Sequence, residues 1–206
     1  MQIIKLCRGV GANVYVLTAD GKNAVVIDPS YPSLVKELEK RGLTAAYVLL
    51  THCHFDHVYG VPALQQAGAK VLCSDLEKPL VGTPAALSGL FGAPDPDYTV
   101  DGTFTDGEIL SLCGVNIKVM LTPGHTAGSA TFFVTDEDGK THLITGDTLF
   151  EGSIGRTDFP TGDMATLRKS LKKLKELDGD YPVYAGHGDD TTLDRERKYN
   201  PFLCDV

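Results

Sequence analysis

Ala45-Ala46-Tyr47-Val48-Leu49-Leu50-Thr51-His52-Cys53-His54-Phe55-Asp56-His57 joins the longest wholly apolar run of the chain to a cluster of histidines. Ala46 to Leu50 predicts a buried strand, and the residues that follow it carry the chemistry. Three of the six histidines fall within six positions, a density that chance explains poorly. In extended backbone His52 and His54 point to the same side, and a turn into a following helix swings Asp56 and His57 toward a second point nearby. That spacing suits two adjacent metal ions. Neutral imidazole suits borderline ions such as zinc and carboxylate suits harder ones, so the mixture admits Zn, Fe or Mn. Cys53 points away from its neighbours by the same alternation and reads as a small buried filler.

Further donors must come from elsewhere. Candidates are His125 in Thr122-Pro123-Gly124-His125-Thr126, Asp147 in Thr145-Gly146-Asp147-Thr148, and His187 in Ala185-Gly186-His187-Gly188. Each follows a predicted strand and adjoins a glycine, where a sharp turn lets a side chain project from a sheet edge into a cleft. Singly these are ordinary turn residues. Alongside the 52–57 cluster they read as metal ligands. Asp28, after a strand and before Pro29, organises a turn and offers a hydrogen bond to a ligand histidine.

Outward from the cluster, strand and helix patterns alternate. Short strands over 2–7, 12–19 and 23–28 open the chain, and Ser33 is placed to cap a helix to about Arg41. Val58, Val61 and Leu64 predict a helix over 57–67, followed by a strand over 70–73. Residues 81–107 hold five Gly and three Pro without periodicity. They read as a long loop, or as a short helix over 85–91 between loops, and such a segment lies over a site rather than in a core. Strands over 108–112, 115–121, 129–135 and 141–145 follow. Asp163 caps a helix whose Met164, Leu167, Leu171, Leu174 and Leu177 form a core stripe, with Arg168, Lys169, Lys172, Lys173 and Lys175 on a solvated face. A strand over 183–185 and a helix over 193–199 end the chain. Arg195, Arg197 and Lys198 read as a solvated helix face, and His142 as structural or exposed.

Composition narrows the function. In 206 residues, 19 Lys and Arg against 27 Asp and Glu leave a formal charge of −8, which opposes nonspecific nucleic-acid binding. The run 45–50 is far short of the roughly 20 apolar residues that span a bilayer, so no membrane association is expected. Charge interrupts the first residues before any export signal forms, and five cysteines without Cys-x-x-Cys spacing signal no disulfide framework. A cytoplasmic protein is expected. No Gly-x-Gly-x-x-Gly follows a strand, so a nucleotide cofactor has no support.

The order HxHxDH, lone His, lone Asp and final His resembles the metallo-β-lactamase superfamily, and the match runs the length of the chain. The resemblance implies a four-layer αββα sandwich, here a single domain over 1–206. It implies His52, His54 and His125 as ligands of a first metal, Asp56, His57 and His187 of a second, and Asp147 as the bridge. The familiar zinc β-lactamases carry Cys at that bridging position, so Asp147 points to the hydrolase branches. Gly146 to Asp158 and Asn200-Pro201-Phe202-Leu203 are similar to the short glyoxalase II-like proteins. Full-length glyoxalase II adds a helical domain that grips glutathione, whereas 19 residues follow His187 here.

The function implied is hydrolysis of a small thioester, hydroxyacylglutathione-like, by a bridging hydroxide held on two divalent ions, most simply zinc. Asp56 is then the catalytic residue that orients the nucleophile. The alternative is a persulfide dioxygenase with one iron on His52, His125 and Asp147, and another ester or lactone hydrolase or a nuclease ranks lower. Arg156 either binds a substrate carboxylate with its forked donors or pairs with Asp158 to hold its loop.

Overall fold

The computed structural model describes residues 1–7 and 11–206. Six strands form a first sheet in chain order: β1 (Gln2–Leu6), β2 (Val14–Thr18), β3 (Asn23–Ile27), β4 (Thr44–Leu49), β5 (Lys70–Ser74) and β6 (Gly102–Phe104). The pairs from β1 to β3 are antiparallel and those from β3 to β6 are parallel. The chain continues through β7 (Ile109–Leu112), β8 (Val115–Leu121), β9 (Ala130–Thr135) and β10 (Thr141–Gly146). A small hairpin, β11 (Leu149–Phe150) and β12 (Ser153–Ile154), precedes β13 (Pro182–Ala185) and β14 (Thr191–Thr192). The second sheet has the order β14-β13-β10-β9-β8-β7, with β10 and β13 parallel.

Strand alternation divides the apolar residues between layers. Tyr15, Leu17, Val25, Ile27 and Leu49 face Ile117, Val119, Phe132 and Ile144 across the interior between the sheets. The other face of the first sheet, with Val16, Val26 and Val48, packs on α1 (Leu34–Lys40) and α3 (Val61–Gln66) through Leu34, Leu38, Val61 and Leu64. The outer face of the second sheet packs on α4 (Met164–Lys175), α5 (Leu193–Tyr199) and α6 (Pro201–Cys204) through Leu167, Leu171, Leu174, Leu193 and Leu203. The four layers are helix, sheet, sheet, helix, as the resemblance implies. Among the described residues no helix is long and apolar enough to cross a membrane.

Several local expectations need correction. The helix over 57–67 is two helices, α2 (Phe55–Val58) and α3, broken at Gly60. The Gly60 N–H donates to Pro29 O at 2.6 Å, and a Cβ there would lie 2.5 Å from Tyr31 O, so the chain is pinned to the loop after β3. Ser33 precedes α1 in helical backbone, φ −72°, and makes no capping bond. Asp163 does cap α4, accepting from Thr166 N at 2.7 Å. The α4 stripe loses Met164, which is exposed, whereas Leu177 lies beyond the helix and still packs, half-buried, on the same core. Segment 81–107 contains no helix over 85–91. Its single turn Pro84–Ala86 ends at Leu87, whose φ of 68° leaves the helical region. It also contains β6, three residues whose Phe104 is buried between the sheets.

Leu171→Ala should lower unfolding free energy by about 2–5 kcal/mol, the cost of a large-to-small change in a packed core, and Met164→Ala by under about 0.5 kcal/mol. Urea denaturation of the two variants checks this.

Candidate metal centre

The parallel strands β3, β4, β10 and β13 end at one edge of the sandwich, and the polar residues that follow them meet there. Asp28, directly after β3, adopts φ 52°, a left-handed conformation that Asp tolerates better than most side chains. Its buried carboxylate accepts from Thr51 N at 2.8 Å, from Thr51 Oγ1 at 2.6 Å and from His57 Nδ1 at 3.0 Å. Asp28 therefore makes the histidine contact read for it from sequence, and its other carboxylate bonds reach across to Thr51 rather than organising its own turn.

These bonds settle ring orientations. Asp28 accepts the hydrogen bond of His57 Nδ1–H, which leaves His57 Nε2 facing the cleft. Thr51 donates to Asp28 and so accepts from His52 Nδ1 at 3.0 Å. The Nε2 lone pair of His52 then points inward, buried and without a hydrogen-bond partner. His125 donates from Nδ1 to Arg156 O at 2.7 Å, which turns its Nε2 inward as well. His54 Nδ1 lies 2.9 Å from that nitrogen.

All seven proposed ligands meet at this edge. His52, His54 and His125 present ligand atoms within 4.8 Å of one another, and so do Asp56, His57 and His187. Asp147 touches both groups: Oδ1 is 3.3 Å from His57 Nε2, and Oδ2 is 3.5 Å from His125 Nε2 and 3.6 Å from His187 Nε2. His187 Nε2 is 3.1 Å from Asp56 Oδ2. A third grouping, Asp28 with His52 and His57, is accounted for by the hydrogen bond from His57 Nδ1.

The electrostatics suit a cation. Burial opposes charge on both Asp147 and His57. The imidazoles nevertheless hold Asp147 well below the usual carboxylate range, and Asp147 and Asp56 hold His57 well above its ordinary value. Burial, then the neighbouring His125, lowers His54 to about 3 and keeps its ring neutral as a ligand must be. Inward lone pairs, a buried partnerless His52 Nε2 and a carboxylate between two donor groups fit divalent ions of the N/O-loving kind.

The supports include residues that the sequence reading missed. Glu77 is fully buried and accepts from Cys53 N at 2.8 Å, Thr126 Oγ1 at 2.8 Å and Gly128 N at 3.0 Å, which ties the His52–His54 segment to the His125 loop. A single Glu after Asp75-Leu76 carries no pattern that would mark it. Asn13 clamps the His187 turn, donating from Nδ2 to Ala185 O and Gly188 O, both at 3.0 Å, and Tyr15 donates to Ala185 O at 2.7 Å. Gly186 is required there, because a Cβ would collide with Asp147 Oδ1.

Arg156 forks onto Asp158, Nε to Oδ1 at 2.7 Å and Nη2 to Oδ2 at 2.6 Å, so of its two readings the loop-holding pair is the one formed. His142 bonds Asp136 at 2.7 Å and stacks on Tyr184, outside the cluster. Arg195 and Arg197 are not simply solvated, since they pair with Glu151 and Asp194. Leu87 and Phe91, from segment 81–107, line a hollow of about 430 Å³ over His54, His125, Asp147 and His187.

The profile of the metallo-beta-lactamase superfamily matches residues 7–187, and the chain belongs to that family. Hydroxyacylglutathione hydrolase GloC of Haemophilus influenzae is 40% identical over 93% of this chain and 92% of its own. Among solved structures, the BLEG-1 B3 metallo-beta-lactamase superposes with a TM-score of 0.89 at 34% identity, over 98% of this chain and 99% of its own. TTHA1623 in a di-iron-bound form superposes at 0.82 with 34% identity, over 98% and 100%. The protein is thus a metal-binding enzyme of this superfamily. Likeness to a protein named as a β-lactamase means that overall similarity does not separate the branches.

In metal-stripped protein, imidazole ¹⁵N shifts should show His54 neutral at pH 5 and His57 still protonated at pH 7.5. Glu77→Ala strands the buried N–H groups of Cys53 and Gly128, and should destabilise the fold by about 2–4 kcal/mol in the same denaturation assay. His54→Ala should cost most of the metal bound per chain, measured by elemental analysis, whereas His142→Ala should leave metal content unchanged.

Proposed function

We propose that the protein hydrolyses a small thioester at a centre of two divalent ions, zinc in our reading. The observation that carries this is the meeting of two three-residue donor groups on either side of Asp147 at the floor of an open hollow. Similarity to a hydroxyacylglutathione hydrolase along almost the whole chain supports the thioester as substrate class. A closed structural site would use four ligands and leave no face for substrate.

His52, His54 and His125 would hold one ion and Asp56, His57 and His187 the other, with Asp147 shared. Bound there, such ions supply Lewis acidity toward a carbonyl oxygen and lower the pKa of water toward about 7. The chain contributes the orientation. Asp28 and Thr51 lock the rings of His57 and His52, and Arg156 O locks that of His125. Asp56 keeps a partly exposed carboxylate beside His187, and its free edge would accept a hydrogen bond from the attacking water and aim it at the carbonyl carbon. One water is consumed: a C–O bond forms, the C–S bond breaks, and carboxylate, thiol and a proton leave. A thiol of ordinary pKa about 8.5 departs as thiolate, so no general acid is demanded.

The test is elemental analysis of protein purified without added metal, combined with turnover of S-D-lactoylglutathione. About two metals per chain with thiol release is expected. One iron per chain, with oxygen uptake on glutathione persulfide and no thioester cleavage, would replace this reading by the dioxygenase. Cleavage of a β-lactam in preference to the thioester would replace it by a β-lactamase.

A further inference from the structure

We propose, resting on the thioester reading above, that the acyl group this site selects is neutral and aromatic or branched-apolar, and that anionic acyl groups are disfavoured. The hollow over the donor cluster is walled by apolar side chains. Phe55 and Phe91 stack with ring centroids 5.2 Å apart, and Phe91 meets Phe159 edge to face at 5.9 Å. Leu87, Phe150 and Ile154 complete the wall. Phe91 is 54% exposed although it touches two other rings, so much of its surface is left for a guest. Three rings joined through Phe91 present faces and edges on which another ring or a branched alkyl group packs with little ordering cost.

Charge leads to the same substrate. Among the described residues that line the hollow, Arg156 is the one lysine or arginine. Its guanidinium is forked onto Asp158, and its plane lies 3.8 Å from the Phe159 ring centroid. An anionic tail would have to compete with Asp158 for that fork. Asp158 thus masks the cation that would recognise a carboxylate, and Phe159 holds the masked pair as part of the aromatic wall. A second hollow of about 440 Å³, lined by Pro84, Leu90 and Pro160, shares Leu87 with the first and extends the apolar surface.

The experiment holds the leaving group constant. The metal-loaded enzyme is assayed with the N-acetylcysteamine thioesters of phenylacetate, acetate and succinate. We expect kcat/KM for phenylacetyl to exceed that for succinyl by about tenfold or more, the discrimination that an apolar pocket supplies. Phe91→Ala should cut the phenylacetyl-to-acetyl ratio at least about fivefold, mainly through KM. Asp158→Asn should raise succinyl turnover relative to phenylacetyl by freeing Arg156. Equal or better use of succinyl by the wild-type enzyme overturns the proposal while leaving the thioester reading intact. If none of the three is cleaved, turnover of S-D-lactoylglutathione decides the reaction reading by itself. The selectivity is then read by calorimetric titration of the uncleavable amide analogues, where tighter binding of the phenylacetyl amide supports it and equal or weaker binding overturns it.

Discussion

The carboxylate of Asp28 is the contact on which the rest of the site depends. It accepts from the backbone and hydroxyl of Thr51 and from the ring of His57, all inside the protein. Through Thr51 it also sets the ring of His52. One buried acceptor at the end of β3 thereby orients a residue in each of the two donor groups. A buried carboxylate is tolerable only when its oxygens are filled, and here the filling groups are the ones whose orientation matters. Glu77 repeats the device on the other flank, joining the turn of His52 and His54 to that of His125. Two acids with no place among the proposed ligands thus hold the ligand loops in register.

The sandwich makes that arrangement possible. Parallel pairing of β3 with β4, and of β10 with β13, sends consecutive loops to the same edge, and the interior of Tyr15, Leu49, Phe132 and Ile144 keeps the two sheets face to face. Loops from both sheets can then approach within hydrogen-bonding distance, which a single sheet does not allow. The apolar wall of Phe55, Phe91 and Phe159 stands over this polar floor and lines one side of the open hollow.

Much of this was legible in the chain itself. The His52 to His57 cluster follows a strand, and alternation and a turn suffice to divide it between two points. Gly-flanked His125, Asp147 and His187 were legible as partners only in company with that cluster. The helix over 57–67 was not legible as two, because its periodicity survives the break at Gly60 and only the approach of Pro29 and Tyr31 carbonyls imposes it. β6 was hidden because three residues within a loop have no period of their own, and pairing with β5 creates the strand. The α4 stripe was overread at Met164, since periodicity says which face is apolar and not where the neighbouring layer begins, while Leu177 packs on the core from beyond the helix.

The layer order came from the family resemblance, whereas residue chemistry and local periodicity by themselves determined most strands and helices, the donor types and their spacing along the chain. They depend on neighbours a few positions apart, which sequence displays directly. Tertiary structure alone decided which ring nitrogen faces inward, that Glu77 and Asn13 brace the ligand loops, that Arg156 spends its fork on Asp158, and that Phe91 reaches over the cluster. Each of those rests on groups distant in sequence coming within a few ångströms, and no local pattern encodes such a meeting.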